Sequence, residues 1–216
     1  MLENLPEQVG RALQGQRAGL ENIALYRLLL ERDVPRIDIH SLAFENMAAI
    51  PIRYTADGDG TSPPLAWRGV PQAATSVVLM VEDADSPTPR PLVHTIAVHL
   101  ERCDGSLVEG ALVSQDAAAI DEVDIGLNSF LKQGWLPPDP PPGHGEHRYA
   151  FQLFALREGP GFSSVPGRHE LFDAIVERAI AAGCLIGTYE RAKREKAEQD
   201  EVDNAMLDQE VGPAAA

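Results

Sequence analysis

Short apolar runs separated by Gly, Pro and Asp clusters fill the chain from Ile37 to Val113, and this pattern constrains the fold more than any other feature. The runs are too short for most helices, whereas short strands joined by turns fit the spacing. Residues 77–81 form a continuous run rich in β-branched side chains, which is typical of a strand covered on both faces. The pattern therefore predicts a mainly β domain.

Two further segments show the alternation of a half-buried strand. Residues 94–100 alternate so that His94 shares a predicted face with Ile96 and Val98. In residues 147–154 the same alternation places His147 and Tyr149 on one face. The sequence thus predicts three strands of one core, two of which begin with a histidine.

A Pro-rich stretch, residues 134–145, directly precedes His147. Proline cannot donate a ladder hydrogen bond, so this stretch is predicted to be a loop. Loops that contain Gly and Pro often let the backbone approach a ligand closely. We therefore expect the loop to lie at the edge of a site.

Helical spacing marks the region before the predicted strands. Apolar residues recur at intervals of three and four over residues 20–30, and Pro35 is expected to end the helix. We predict that residues 1–36 form a helical extension that packs on the domain of residues 37–191 or on a second subunit. An apolar helix there makes a homodimer plausible.

The C-terminal region also shows a helical stripe. Apolar residues at helical spacing over 171–180 predict a helix with Gly183 at its C-terminus, followed by a last strand over 184–189. Residues 192–216 are predicted to be a charged and partly disordered tail.

The charge balance excludes several classes of partner. The formal net charge is −15 and the pI is about 4.7, which argues against nucleic acid because phosphate backbones are bound mainly by clustered Lys and Arg. No apolar run reaches the roughly 18 residues that a membrane-spanning helix needs, and residues 1–32 lack the pattern of a secretory signal. A cytoplasmic location without stable membrane insertion is therefore expected.

Polar side chains that could form a site occur where the predicted strands begin and end. Asp83 and Asp85 follow the buried strand two residues apart, a spacing that shares one face. Taken alone, this pair is better explained by an ordinary turn whose carboxylates cap backbone N–H groups than by a site. A single His on an apolar face, such as His94, is usually a core residue. His147 and Tyr149 are a stronger pair, because an imidazole and a phenol beside a loop can bind phosphate or carboxylate.

Four ordered segments resemble the phosphatidylethanolamine-binding protein family, in its bacterial Raf-kinase-inhibitor-like branch. The segments are residues 62–71, residues 83–87 followed by His94, residues 143–149, and residues 185–191. The resemblance implies an antiparallel β-sandwich with Greek-key connections, peripheral α-helices and an anion pocket. The residues assigned to that pocket and its rim are Asp83, Asp85, Pro87, His94, Pro137, Asp139, Gly145, His147 and Tyr149.

Two rim residues depart from the family pattern. Pro137 and Asp139 stand where relatives commonly carry Gly, and then Gly or Cys. Proline removes a donor and a carboxylate repels an anion, so the departures predict weaker phosphate binding than the family suggests.

The resemblance implies a non-enzymatic binding protein that holds a small anion or phosphorylated head group and modulates a kinase or protease. A metal-dependent or acid/base hydrolase that uses Asp83, Asp85, His94 and His147 is one alternative. An interaction scaffold with a vestigial pocket is another. The sequence predicts no cofactor and no resident metal, since compact metal motifs and a nucleophile elbow are missing from it.

Overall fold

The computed structural model describes residues 6–113 and 123–191, in which nine strands form two sheets. The strands are β1 (Asp38–His40), β2 (Ala48–Ala49), β3 (Leu65–Arg68), β4 (Ser76–Asp83), β5 (Leu92–Leu100), β6 (Gly105–Leu107), β7 (Asp124–Ile125), β8 (His147–Leu156) and β9 (Ala179–Tyr189). The expected mainly β class is confirmed.

The larger sheet has the strand order β2-β9-β8-β4-β5-β7, and the smaller has the order β1-β3-β6. Three central strands of the larger sheet, β8, β4 and β5, are the strands that the sequence predicted. The prediction came from the continuous apolar run in β4 and from the alternation in β5 and β8. All pairings are antiparallel except that of β2 with β9, where Ala48 pairs with Gly187 and Ala49 with Thr188 in parallel. The larger sheet is therefore mixed, and the expectation of wholly antiparallel strands was wrong at this edge.

The strand β4 contributes to two separate cores, one on each side of the sheet. Val77, Leu79 and Val81 pack in the core that also contains Leu65 and Trp67 of the smaller sheet. Each of these side chains is almost fully buried, and burial of one such side chain stabilises the fold by roughly 1.5–3 kcal/mol.

The helices α2 (Ala24–Glu31) and α3 (Arg168–Arg178) cover the opposite face of the larger sheet. A shorter helix, α1 (Glu7–Leu13), precedes them in the chain. Val78 and Met80 of β4 pack there with Leu28 of α2 and with Leu171 and Ile175 of α3. This double coverage explains why β4 is apolar at every position from 77 to 81.

The sheet itself fixes where α2 begins. The backbone N–H of Ala24 donates to the buried Glu82 carboxylate at 2.8 Å, and that of Leu25 donates to Gln152 at 2.7 Å. These bonds satisfy two of the N–H groups that a helix leaves unpaired at its N-terminus. The helix predicted over residues 20–30 is present from Ala24 onward. Its expected start at residue 20 was wrong, because a 3₁₀ turn at Leu20–Asn22 precedes α2 and Ile23 between them is extended.

The C-terminal prediction placed the helix end too late. The helix α3 ends at Arg178 and β9 begins at once, so that Gly183 lies inside a strand and caps no helix. Pairing of β9 with β8 along its whole length outweighs the local helical pattern. A Cβ at Gly183 would lie 2.2 Å from the carbonyl oxygen of Ile37, so this glycine permits close backbone approach. The predicted tail, residues 192–216, lies outside the described residues.

Candidate functional site

A cavity of about 890 Å³ opens where β4 ends and β5 begins. Its polar lining residues are Asp83, Ser86, Thr88, Arg90, His94, Ser129, Asp139, His147 and Arg168. Its apolar lining residues are Leu13, Pro87, Pro89, Pro91, Leu92, Phe130, Leu136, Pro137 and Pro141. This volume is in the range of sites for organic ligands.

A β-bulge turns His94 toward the cavity. Consecutive residues of β4 pair with Thr95 and then with Val93, so the pairing skips His94. An extra residue in one strand locally reverses the alternation of side chains. The predicted common face of His94 and Ile96 was therefore wrong: Ile96 packs in the core beside the helices, whereas the His94 ring lies edge-on to Tyr149 with centroids 5.1 Å apart.

The imidazole of His94 is buried and bonded on one side only. Its Nδ1 lies 2.6 Å from the carbonyl oxygen of Leu136, which can only accept, so Nδ1 carries the proton. Within the described part of the chain, its Nε2 has no hydrogen-bond partner. Burial lowers the pKa of His94 below its ordinary value of 6.5, and the charge of Asp83 only partly offsets this effect. The cavity wall thus presents a neutral ring whose Nε2 is not bonded to any described residue.

Asp83 is held on both carboxylate oxygens. Oδ1 accepts the backbone N–H of Asp85 at 2.8 Å, and Oδ2 accepts Nδ1–H of His147 at 2.8 Å. A buried carboxylate that is paired and hydrogen-bonded in this way is much less costly than an isolated one. The pair fixes the ring of His147 at the cavity wall.

His144 continues this arrangement, and the sequence reasoning gave it no role. Its Nδ1 lies 2.6 Å from Nε2 of His147, and its Nε2 lies 2.9 Å from the Leu13 carbonyl oxygen and 3.2 Å from that of Gln16. The ring is 1% exposed. The only signal in the sequence was a second histidine three residues before His147, between two glycines.

The bonds around the two rings determine where their protons lie. Asp83 accepts at one end and the Leu13 carbonyl at the other, so the three bonds require three protons on the four ring nitrogens. Burial, followed by the effect of His147, lowers the pKa of His144, which makes His144 the neutral ring. With Asp83 ionised, His147 then donates from both of its nitrogens in this arrangement.

Asp85 lies outside the cavity wall, in contrast to its predicted place among the pocket residues. Arg148 binds it through two contacts of 2.7 Å, and Arg17 approaches it at 2.9 Å. Burial alone would raise the pKa of Asp85, but the hydrogen bonds and charges of Arg148 and Arg17 lower it to about 2. Asp85 therefore positions the start of β8 and the N-terminal residues.

Tyr149 and Gly145 also lie behind the wall. Burial, reinforced by the charge of Asp83, raises the pKa of Tyr149 well above its ordinary value of 10.0, so its hydroxyl remains a donor. That hydroxyl has no partner among residues 6–113 and 123–191. Gly145 has a φ of 98°, which favours glycine, and shapes the turn before β8.

The two rim residues, Pro137 and Asp139, line the cavity, as Pro87 does. The carboxylate of Asp139 lies 2.7 Å from Nη2 of Arg191, at the end of β9. This ion pair reduces the repulsion that an anion would otherwise meet.

Metal binding finds no support in the described residues, because no three His, Cys, Asp or Glu side chains there converge as ligands. Both nitrogens of His147 are already hydrogen-bonded. The described helices are also too short and too polar for any of them to cross a membrane.

A sequence model described as phosphatidylethanolamine-binding protein matches residues 40–190. The chain belongs to this family. A UPF0098 protein of Chlamydia trachomatis is 35% identical over 159 residues, which cover 72% of this chain and 99% of that protein. A UPF0098 protein of Aquifex aeolicus is 31% identical over 156 residues, which cover 72% of this chain and 89% of the relative.

Solved structures of the phosphatidylethanolamine-binding protein family agree. The crystal structure of the homologue CT736 from Chlamydia trachomatis matches with a TM-score of 0.64 and 33% identity, covering 73% of this chain and 99% of that one. The structure of E. coli YbcL matches with a TM-score of 0.65 and the same coverage, but at 22% identity it supports the fold alone. Membership in the family supports a binding role in general terms.

Proposed function

We propose that the cavity binds a small organic anion or phosphorylated head group, and that the protein acts by binding without catalysis. The observation that carries the proposal is the buried Nε2 of His94, which has no partner among the described residues and lies on a cavity wall shared with His147. A buried polar atom without a partner is costly, and a ligand that bonds to it recovers that cost. Phosphatidylethanolamine, named in the family description, contains a phosphate ester of this class.

The carboxylates on the wall do not oppose an anion strongly. Asp83 is bonded to His147 and to a backbone N–H, and Asp139 contacts Arg191. Arg90 and Arg168 also line the cavity, and the guanidinium of Arg168 is paired with the buried Glu82 carboxylate at 2.9 Å. The balance of charges around the cavity therefore differs from the net charge of −15. Salt screens the charges that lie more than about 8 Å from the cavity.

The neutral state of His94 sets the form in which an anion binds. Nε2 either accepts a hydrogen bond from a protonated oxygen of a ligand such as hydrogen phosphate, or takes up a proton itself when the anion binds. Both routes make a singly protonated phosphate ester a better ligand than a fully ionised one. The proposal therefore includes coupling between ligand binding and proton uptake.

Isothermal titration with inorganic phosphate and O-phosphoethanolamine tests this function. We expect saturable binding that His94→Ala and His147→Ala each weaken by at least about tenfold, as loss of a charge-assisted bond implies. His169→Ala is the matched control, since that side chain is 93% exposed. No heat at millimolar ligand, with every variant still unfolding cooperatively, would contradict the proposal and favour a scaffold with a vestigial pocket.

Protein partners are a separate part of the proposal. Modulation of a kinase or protease is what the family resemblance implies, and it is tested by adding the purified protein to assays of such enzymes. A homodimer is tested by light scattering during size-exclusion chromatography. In the described structure the apolar face of α2 packs on its own domain. That face of α2 therefore does not contribute to a dimer contact.

A further inference from the structure

The N-terminal segment, residues 7–19, forms part of the cavity although it lies outside residues 40–190 that match the family. Leu13 at the end of α1 is one of the lining residues, on the same cavity as His94 and His147. The segment thus adds an apolar surface to a wall whose polar groups come from the family domain.

Several direct contacts hold the segment against the loop that precedes β8. Gly10 packs so closely that a Cβ there would lie 1.9 Å from the carbonyl oxygen of Pro142. The Gln14 side chain donates to the carbonyl oxygen of Gly143 at 2.7 Å. The Leu13 carbonyl accepts from His144 at 2.9 Å. The backbone around Leu13 is therefore fixed on both sides.

The segment is also attached to the loop that follows β4. Backbone N–H groups of Ala18 and Gly19 donate to the carbonyl oxygens of Ser86 and Ala84 at 3.0 and 2.7 Å. Arg17 forms its ion pair with the buried Asp85. One segment thus bridges the loop that follows β4, which carries Ser86, Thr88 and Arg90, and the loop that precedes β8, which carries Asp139.

Leu13 is linked to the polar side of the cavity. Its carbonyl is connected through His144 to His147, and Leu13 and His147 line the same cavity. Leu92, Phe130 and Leu136 contribute further apolar surface to the same cavity. A bare inorganic anion would leave this surface in contact with water only.

We infer that the N-terminal segment selects organic anions with an apolar substituent, and that Leu13 is a specificity-determining residue which contacts that substituent. The inference rests on the proposed function and deepens it. The anionic group binds at His94 and His147, and the substituent covers Leu13. Each methylene-sized group that becomes buried there increases affinity about fourfold.

Titrations with three probes test the inference: inorganic phosphate, phenyl phosphate and the uncharged benzyl alcohol. We expect the wild-type chain to bind phenyl phosphate at least about tenfold more tightly than inorganic phosphate, because binding buries a phenyl ring equivalent to several methylene-sized groups. Leu13→Ala should reduce this preference to less than about threefold.

A matched pair of glycine variants tests the wall without altering Leu13. Gly10→Val should displace the segment from Pro142 and abolish the preference, whereas Gly15→Val should retain it, because a Cβ at Gly15 meets nothing within 4 Å. Hydrogen exchange of residues 7–19 should increase in the first variant only, which shows displacement independently of any ligand.

The outcomes separate the two claims. If phosphate binds but phenyl phosphate binds no more tightly, or if the preference survives Leu13→Ala, the inference is overturned and the proposed function stands. If neither anion binds but benzyl alcohol binds and is lost in Leu13→Ala, the anion function fails and the apolar role of Leu13 stands. If none of the three binds, both fail.

Discussion

The imidazole rings of His144 and His147 share a hydrogen bond of 2.6 Å, with ring centroids 4.7 Å apart. One ring belongs to the Pro-rich loop and the other to the first position of β8. Because the bonds beyond the pair end on a carboxylate and on a carbonyl, the pair holds one proton more than two neutral rings would. With Asp83 ionised, this geometry favours a protonated His147 at the cavity wall, in a chain whose overall charge is strongly negative.

This proton count predicts distinct ring states for the two histidines. Nitrogen-15 spectra of histidine-labelled protein should show both ring nitrogens of His147 protonated at pH 7 and only Nε2 of His144 protonated. His147→Ala and His144→Ala assign the signals. A neutral His147 with one unprotonated nitrogen would contradict the assignment and remove the charge from the wall.

The buried bonds of His144 predict a cost to stability. His144→Ala should lower the free energy of unfolding by about 1–3 kcal/mol, because it leaves Nε2 of His147 and the carbonyls of Leu13 and Gln16 without this partner. Urea denaturation measures the change, and His169→Ala should shift it by less than about 0.5 kcal/mol. Equal effects of the two variants would mean that the bonds of His144 contribute nothing.

The pKa of His94 predicts how anion affinity changes with pH. Burial keeps the pKa of His94 below 6.5. A bound anion should raise it, so binding should take up a proton. Sulfate affinity should increase as pH falls from 7.5 to 5.5, by at most about tenfold per pH unit. Sulfate is the suitable probe because it does not titrate in this range.

His94→Gln tests the source of that pH dependence. The variant should bind sulfate more weakly and lose most of the dependence, while His169→Gln should behave as wild type. An unchanged dependence in His94→Gln would show that another group takes up the proton.

The depressed pKa of Asp85 predicts a contribution to acid stability. Its pKa is about 2 in the folded chain and ordinarily 3.8, so the folded state binds fewer protons and the unfolded state takes them up first. The contribution of about 2 kcal/mol is fully present above pH 3.8 and is lost as pH falls toward 2. Urea midpoints measured between pH 5 and 2 should show this loss.

Asp85→Asn should remove that part of the acid dependence and destabilise the chain at pH 7 by about 3 kcal/mol, because Arg148 and Arg17 lose a buried partner. Asp33→Asn is the control, since Asp33 is exposed. Retention of the wild-type pH dependence in Asp85→Asn would assign the acid transition to other carboxylates.

The sequence was sufficient for the strands whose pattern is set by burial on both sides. Residues 77–81 of β4 and the alternating residues of β8 were predicted because their side chains meet cores that the local pattern already reflects. The family motifs likewise brought Asp83, His94 and His147 to one cavity. In these cases the chemistry of the residues and their place in the fold agree.

The errors concern features that depend on distant parts of the chain. The bulge at His94 arises from the pairing of β5 with β4, and no local sequence pattern predicts it. The role of His144 depends on carbonyls about 130 residues earlier in the chain. The sequence context of Asp85 is that of a ligand-binding residue, but in the structure its carboxylate forms ion pairs with Arg17 and Arg148. Residue spacing alone does not predict long-range pairing of this kind.

Gly183 is the clearest instance, because a glycine after an apolar stripe normally predicts a helix end. Here it lies within β9, where the backbone of Ile37 approaches to within 2.2 Å of the position of a Cβ. Gly183→Ala should therefore destabilise the chain by more than about 2 kcal/mol, since neither backbone can yield without breaking sheet hydrogen bonds. Gly161→Ala, where a Cβ meets nothing within 4 Å, should be neutral or slightly stabilising. Thermal and urea unfolding of both variants give the comparison, and an unaffected Gly183→Ala would mean that β9 and residue 37 are less closely packed than the structure shows.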